Sequence, residues 1–233
     1  MKIALLGYGR MGKEIEKIAL QRGHEIVVKS TSNSTYTITD ADVAIDFSVP
    51  TSAVNNISNC LENQVPVISG TTGWLEKYDE VVDFCNEKNG AFIYASNFSI
   101  GVNIFFELNN QLAKMMHTLS EYQISLEEIH HTKKLDAPSG TAITLAEGII
   151  ANSSKSAWKL DGEVSDEIVP ITSKRTGEIP GTHIINYASE VDSIEIKHTA
   201  HNRIGFALGA VVAAEWILNK KGVFTMKDVL NIG

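Results

Sequence analysis

The sequence is poor in the features that mark disulfide-rich, membrane and nucleic-acid-binding proteins. Only two cysteines occur, Cys60 and Cys85, without CxxC spacing, so neither a disulfide framework nor a zinc site is indicated and we expect no metal. No run of about 18 apolar residues could span a membrane, and the apolar start is too short for a signal peptide. The net charge of −8 and the lack of a Lys/Arg-rich run argue against nucleic-acid binding. We therefore expect a cytoplasmic protein without membrane or nucleic-acid partners.

What is present is the composition of a folded protein. Hydrophobic residues make up 43% and charged residues 21% of the 233 positions, which is ordinary for a globular chain. The length allows one large domain or two small ones.

A glycine motif follows the first apolar run. Residues 2–6 predict a strand, residues 7–12 read G-x-G-x-x-G, and residues 14–20 have helical periodicity. The glycines allow a tight turn, a close approach of the backbone to a pyrophosphate and close packing of the helix on the strand. The motif alone is a weak signal, but its place between a strand and a helix predicts a dinucleotide-binding domain.

The second predicted strand, residues 24–29, bears on the choice of cofactor. An acidic residue near its end would bind the ribose hydroxyls of NAD, and none is there. Lys29 and the hydroxyl-rich residues 30–34 follow instead and could hold the 2′-phosphate of NADP. An ordinary polar surface loop is the alternative. We expect use of NADPH, or of both NADPH and NADH.

Three further strands are each predicted to end in a polar loop. The strand at residues 42–47 carries Asp46 near its end, the strand at 65–69 precedes the loop 70–73, and the strand at 91–95 precedes the loop 96–99. Each loop alone is most simply an ordinary turn. Their regular placement at the carboxyl ends of successive strands is what a nicotinamide pocket requires.

The alternation of strand and helix breaks near residue 100. An amphipathic helix and strands near 122–130, 184–187 and 192–198 predict a mixed sheet, and the apolar helix from Arg203 to Lys220 is expected to pack back on the first domain. The polar residues 152–170 are expected to form a surface loop or a short helix. The predicted fold class is α/β: a Rossmann-type dinucleotide-binding domain of residues 1–100 and 204–233, plus an α+β domain of residues 101–203 for substrate binding and oligomerisation.

The stretch from residue 127 to residue 142 concentrates groups that move protons. Ten residues hold two histidines, two lysines and three carboxylates. Residues 136–141 then predict a helix start, with Pro138 in the first turn and free backbone N–H groups that can bind an anion. A solvated charged strand followed by a capped helix is the alternative interpretation. The glycine loops elsewhere in the chain favour the interpretation of this stretch as a functional site.

Taken together, the motifs resemble the 4-hydroxy-tetrahydrodipicolinate reductase family, long called the dihydrodipicolinate reductase family. The resemblance spans nearly the whole chain and is carried by residues 7–12, 70–73, 96–99, 128–142, 209–210 and 226–230. The string His-His-x-x-Lys-x-Asp-Ala-Pro-Ser-Gly-Thr is its most specific part. Two departures bear on cofactor preference: the chain is short between the second and third strands, and the acidic ribose-binding position is absent.

The resemblance implies an enzyme and assigns roles to residues. It implies reduction of a cyclic imine dicarboxylate by NAD(P)H in lysine and diaminopimelate synthesis, by a homotetramer assembled through the second-domain sheets. His130 would be the general acid/base and Lys134 a proton donor, while His131, Gly140 and Thr141 would bind the substrate. Lys29 is expected at the cofactor from the loop argument above. The cofactor would lie along Gly7, Tyr8, Gly9, Arg10, Met11, Gly12, Gly70, Thr71, Thr72, Ala95, Ser96, Asn97 and Phe98.

Two other functions stay open from the sequence. A dinucleotide-dependent sensor or assembly protein would keep the fold without turnover, because a fold does not fix a function. A related amino-acid dehydrogenase would keep the cofactor and change the substrate. The pair His130 and Lys134 counts against the first alternative, and residues 139–141 count against the second.

Overall fold

The computed structural model describes residues 1–31, 36–163, 165–202 and 204–232. It divides the chain into two compact units. The first unit comprises Met1–Ile100 and Ile204–Gly233, and the second comprises Gly101–Arg203.

The first unit is built on a parallel sheet of six strands. Its order is β11-β5-β4-β3-β1-β2, and every neighbouring pair is parallel. The elements in chain order are β1 (Lys2–Leu6), α1 (Arg10–Gln21), β2 (Glu25–Ser30), β3 (Val43–Asp46), α2 (Pro50–Glu62), β4 (Val67–Ser69), a 3₁₀ turn (Leu75–Lys77), α3 (Tyr78–Glu87), β5 (Ala91–Tyr94), α6 (Ile204–Ile217), β11 (Gly222–Phe224) and α7 (Met226–Leu230).

Helices cover both faces of this sheet, which explains why its central strands are apolar throughout. Helices α1 and α6 pack on one face, where Ile15 and Val211 join the core, and α2 and α3 pack on the other, where Ile57 and Val81 do so. Strand β3 is buried at all four positions, as expected for a parallel strand between two helical layers. The Rossmann-type part of the predicted fold is confirmed.

The second unit is built on a mixed sheet of five strands in the order β10-β9-β6-β8-β7. Strand β6 pairs antiparallel with β9 and parallel with β8, so the predicted mixed sheet is confirmed. The elements are α4 (Ile100–Met116, which begins at the last residue of the first unit), β6 (Gln123–His130), α5 (Gly140–Ala151), β7 (Ala157–Leu160), β8 (Ile168–Arg175), β9 (Gly181–Ala188) and β10 (Ser193–Ala200).

The core of the second unit lies between this sheet and its two helices. Phe105 of α4 and Leu145 of α5 pack with Leu126 of β6 and Ile185 of β9. Alternate residues of β6 are buried, and Glu128 and His130 are among them. The strand therefore carries two ionisable side chains on its covered face.

The structure corrects three expectations in detail. Residues 152–170 were expected to form a surface loop or short helix, but they include β7, which pairs parallel with β8. Pro138 was expected in the first turn of a helix, but α5 begins at Gly140 and Ser139 is its N-cap. The closing helix was expected from Arg203 to Lys220; Arg203 lies outside the described residues, and α6 ends at Ile217 instead.

Two expectations about special features can be compared with the structure. Cys60 and Cys85 are buried and form no disulfide. A search of the described residues finds no helix with the length and apolarity needed to traverse a bilayer.

Candidate active site

The first glycine turn joins β1 to α1 in the first unit. Gly7 has a φ of +100°, which favours glycine, and a Cβ there would collide with the backbone oxygen of Phe47. A Cβ on Gly9 would meet nothing within 4 Å. Helix α1 begins at Arg10 with no side chain capping its N-terminus, so helix geometry leaves its first N–H groups available to an anion.

A pocket of about 380 Å³ lies beside this turn. It is lined by the turn itself, by Thr31 after β2, by Tyr36, by Val49 before α2 and by Asn56 within α2. The hydroxyl of Tyr36 donates to the side-chain oxygen of Asn56 at 2.8 Å. The pocket therefore combines the glycine turn with an aromatic wall.

Lys29 lies at the end of β2 and is already paired. Its Nζ atom lies 2.5 Å from the Glu16 carboxylate and 5.1 Å from the centre of the Tyr8 ring. The Tyr8 hydroxyl also bonds to Glu16. The hydrogen bond to Glu16 raises the pKa of Lys29, so the ammonium stays charged. Residues 32–34 of the predicted phosphate-binding loop lie outside the described residues.

Asp46, the last residue of β3, connects helix α2 with the end of β4 and the loop that follows it. This fully buried carboxylate accepts hydrogen bonds from Ser69 Oγ at 2.8 Å, Thr71 Oγ1 at 2.7 Å and Asn56 Nδ2 at 2.9 Å. Burial raises the pKa of Asp46, although these hydrogen bonds act in the opposite direction. Asp46 therefore holds the loop containing Gly70, Thr71 and the exposed Thr72 in place.

The loop after β5 contains four of the predicted cofactor residues, Ala95, Ser96, Asn97 and Phe98. Asn97 accepts a hydrogen bond from the backbone N–H of Ser99 at 2.8 Å, and Ser96 is exposed. Phe98 is only 1% exposed, and its ring packs 5.7 Å from that of Phe47. Of the predicted cofactor residues in this loop, Phe98 therefore has only its backbone to offer.

In the second unit, strand pairing surrounds His130 with partners. His130 Nδ1 faces Glu128 on the same strand, and the other Glu128 oxygen lies 2.8 Å from the Arg175 guanidinium on β8. Burial alone raises the pKa of Glu128, but the contacts with His130 and the Arg175 guanidinium outweigh it and hold the pKa at about 2. Glu128 is therefore ionised at neutral pH.

His183, on β9, links this group to the start of α5. Its ring lies 5.2 Å from that of His130, and its Nε2 atom lies 3.1 Å from Ser139 Oγ. Ser139 Oγ accepts the backbone N–H of Ala142 at 3.2 Å and so caps the helix. Burial, followed by the nearby His130, lowers the pKa of His183 to about 3. His183 is therefore neutral at physiological pH.

The loop between β6 and α5 carries the remaining predicted residues. Lys134 pairs with Asp136 at 2.7 Å, and the backbone oxygen of Asp136 accepts a hydrogen bond from Arg175 at 2.6 Å. Lys133 lies 3.5 Å from Glu178, and both side chains are mostly exposed.

The start of α5 matches an anion site in its geometry. Gly140 is exposed, a Cβ there would meet nothing within 4 Å, and Thr141 follows it in the first turn. The N–H groups of these two residues have no partner inside the helix. His131 is partly exposed, and its Nδ1 atom is buried without a hydrogen-bond partner in the described part of the chain.

The cluster of Glu128, His130 and His183 also has the spacing of a metal site. Their ligand atoms lie within 4.8 Å of one another. The Arg175 guanidinium, however, lies 2.8 Å from Glu128 and would repel a cation, and the second Glu128 oxygen is used by His130. The group is better described as a hydrogen-bonded network than as a metal centre.

The sequence interpretation missed several members of this arrangement. Arg175 and His183 were not singled out, and Glu16 was not recognised as the partner of Lys29. The alternation in β6, which places Glu128 and His130 on one face, was the only signal for the buried network. The other members come from strands 40 or more residues away in sequence.

Comparison with known proteins agrees with this arrangement. Residues 1–98 match the family described as "Dihydrodipicolinate reductase, N-terminus", and residues 101–230 match "Dihydrodipicolinate reductase, C-terminus". A protein of Christiangramia forsetii named 4-hydroxy-tetrahydrodipicolinate reductase is 56% identical over 99% of this chain and 98% of its own. One of the same name from Thermosipho africanus is 35% identical over 99% of this chain and 98% of its own.

Solved structures agree on the fold. A dipicolinate-bound dihydrodipicolinate reductase from Paenisporosarcina sp. TG-14 superposes with a TM-score of 0.78 at 23% identity, covering 97% of both chains. The two family matches together span nearly the whole chain, and one relative is 56% identical along its length. The chain therefore belongs to the dihydrodipicolinate reductase family.

Proposed function

We propose that this chain reduces 4-hydroxy-tetrahydrodipicolinate to tetrahydrodipicolinate with NAD(P)H, in diaminopimelate and lysine biosynthesis. A hydride and a proton enter the substrate ring and water leaves it. The observation that carries the proposal is local: a histidine backed by a buried carboxylate lies at the end of β6, in the same unit as the capped but open N-terminus of α5. The first group handles protons, and the second suits the carboxylates of a dianionic substrate.

The residues of the first unit fit a nicotinamide dinucleotide. The open side of Gly9 and the free N-terminus of α1 suit a pyrophosphate, and the adjacent pocket has room for the adenosine end. The bound cofactor supplies the hydride. The residues that would hold it are Gly7, Tyr8, Gly9, Arg10, Met11, Gly12, Gly70, Thr71, Thr72, Ala95, Ser96, Asn97 and the backbone of Phe98.

For cofactor choice, we propose that NADPH is used at least as well as NADH. Lys29 lies at the end of β2, where a 2′-phosphate is commonly bound, and no acidic residue occupies that strand end. The phosphate must compete with Glu16 for this lysine, because the two side chains are paired at 2.5 Å. A tenfold preference for NADH in kcat/KM would contradict the proposal.

The second unit handles protons and carboxylates. His130 exchanges a proton at Nε2, since Nδ1 faces Glu128. Lys134 donates a proton and adds positive charge near a dianionic substrate. Gly140 and Thr141 present backbone N–H groups to a substrate carboxylate, and His131 adds a ring nitrogen.

A steady-state assay with substrate generated in situ tests the proposal. We expect oxidation of NADH and NADPH, followed at 340 nm, only when the substrate is present. Inhibition by pyridine-2,6-dicarboxylate, a planar dianion, is expected to be competitive with substrate. Well-folded protein without substrate-dependent oxidation would disprove the function.

His130→Gln and Lys134→Ala test the two proton-handling residues. Each is expected to lower kcat by roughly 10²-fold or more, the usual contribution of a positioned acid or base. Lys133→Ala is the matched control, because its side chain is 78% exposed and, among the described residues, forms an ion pair only with Glu178. Near-normal kcat in both test variants would remove these residues from the mechanism.

We also propose that the enzyme works in the cytoplasm as a homotetramer assembled through the sheet of the second unit. Helices α4 and α5 form the apolar core with one face of this sheet, and β10 is largely exposed. Light scattering coupled to size exclusion measures the assembly mass. A monomer at micromolar concentration would contradict the tetramer.

A further inference from the structure

Glu128 is a carboxylate without solvent exposure on the strand that carries His130. Its Oε2 atom faces His130 Nδ1, and its Oε1 atom lies 2.8 Å from the Arg175 guanidinium. A buried charge costs folding free energy unless it is paired, and both oxygens of this carboxylate have cationic or N–H partners. The arrangement gives the chain control over the state of His130.

Glu128 determines which ring nitrogen of His130 exchanges a proton. An ionised carboxylate only accepts hydrogen bonds, so His130 Nδ1 must carry a hydrogen when it faces Glu128. The exchangeable proton is then on Nε2. A Cβ on Gly181 would stand only 3.0 Å from this atom, so glycine leaves the exchanging nitrogen room.

Arg175 joins this carboxylate to the loop that carries Lys134. Its Nη2 atom lies 2.8 Å from Glu128 and also donates to the backbone oxygen of Asp136 at 2.6 Å. The Asp136 carboxylate in turn holds Lys134 Nζ at 2.7 Å. One guanidinium therefore contacts both the support of His130 and the support of Lys134.

We infer that Glu128 and Arg175 are a positioning pair for the reduction. Glu128 holds His130 in the tautomer whose Nε2 atom exchanges the proton, and Arg175 fixes the Lys134 loop to the same carboxylate. The inference rests on the proposed function and adds two residues to it. Neither residue needs to contact the substrate to act in this way.

Glu128→Gln is the principal test, because glutamine keeps the shape and removes the charge. With no carboxylate behind it, His130 can adopt either tautomer and its protonated form loses an opposite charge. We expect kcat to fall by about 10²-fold while KM for NADPH stays within twofold. We also expect the alkaline limb of the kcat profile to move toward acid. A merely structural role for Glu128 would lower stability without moving that limb.

Other charged or titratable groups near His130 also affect the pH profile of kcat. These are Arg175 from β8, His183 from β9, which lies 5.2 Å away, and Lys134 from the following loop. His183→Gln provides the comparison, because it removes the other nearby imidazole. Glu128→Gln is expected to move the limb in both the wild-type and the His183→Gln background.

The adjacent ion pair is the matched control. Glu127 and Lys174 are the chain neighbours of Glu128 and Arg175 and pair at 2.5 Å across the same two strands, but both are partly exposed. Glu127→Gln is expected to leave kcat and its pH profile unchanged. If Glu127→Gln and Glu128→Gln behave alike, or if Glu128→Gln keeps kcat within threefold of wild type, the inference is overturned. Inactive wild-type protein would instead disprove the proposed function.

Arg175→Lys tests the bridge to the Lys134 loop. A lysine keeps the positive charge, but its ammonium is one bond nearer the backbone than the Nη2 atom that contacts both Glu128 and Asp136. We expect kcat to fall by about tenfold, and wild-type kcat would refute the bridging role. If Glu128→Gln does not fold, the double variant E128Q/R175M, which leaves no guanidinium without its carboxylate, carries the same pH test.

Discussion

Gly209 of α6 is a position where one methyl group is expected to change both stability and cofactor binding. A Cβ there would fall on the backbone oxygen of Phe98 and lie 2.8 Å from its carbonyl carbon. Both of these are backbone atoms, so a rotamer change cannot relieve the clash. In Gly209→Ala, either α6 or the loop 95–98 must move.

The size of the effect follows from two opposing contributions. Overpacking a rigid site costs about 1–3 kcal/mol, and alanine in a helix interior gains roughly 0.5–1 kcal/mol over glycine. A net loss of about 1–2 kcal/mol lowers Tm by roughly 2–8 °C in a chain of this length. Because Phe98 lies in a predicted cofactor loop, KM for NADPH is expected to rise as well.

Gly205→Ala is the matched control, one helical turn earlier in α6. Its Cβ would lie 3.4 Å from Ser99 Oγ, which is an ordinary contact. We expect the Tm of this variant to stay at or slightly above the wild-type value. Its KM for NADPH is expected to equal that of the wild type. Differential scanning fluorimetry and steady-state kinetics of the two variants decide the point. Equal stability of Gly209→Ala and Gly205→Ala would refute the reasoning.

Three further outcomes are expected. Glu16→Gln releases Lys29 and should raise the ratio of kcat/KM for NADPH to that for NADH several-fold, and an unchanged ratio would remove Lys29 from cofactor choice. His183 binds a proton near pH 6.5 in the unfolded chain but only near pH 3 in the folded one. Its contribution to the free energy of unfolding is therefore fully present above pH 6.5 and is lost as the pH falls toward 3. Urea unfolding should therefore show that the free energy of unfolding falls by roughly 2 kcal/mol less between pH 8 and pH 5 in His183→Gln than in the wild type. Ser139→Ala loses the cap on the Ala142 N–H and should cost about 1 kcal/mol by the same measurement, and a cost near zero would contradict the capping role.

The first sheet could be predicted from sequence because its signals are local. Buried parallel strands are short apolar runs, and each glycine-rich turn directly follows its strand. Strands β7 and β8 were harder to recognise. Pro170 lies inside β8, where a proline usually argues against a strand, and β7 is only four residues long.

The candidate site could be assembled from the sequence where its residues are neighbours in the chain. His130, Lys134 and the start of α5 lie within a dozen residues, so one motif contains them. Arg175 and His183 approach them only through the register of β8 and β9 against β6. Similarly, the pairing of Glu16 with Lys29 depends on how α1 packs against β2, which residue spacing does not give.

The discontinuity of the first unit has a consequence for how the chain folds during synthesis. Helix α6 places Ala207, Ala210 and Val211 in the same core as Ile3 and Ile15, and β11 completes one edge of the sheet. The amino-terminal 100 residues therefore emerge from the ribosome without part of their own core. The second unit is continuous and can fold while it waits for residues 204–233. A truncation that removes only this last segment is thus expected to unfold the segment synthesised first.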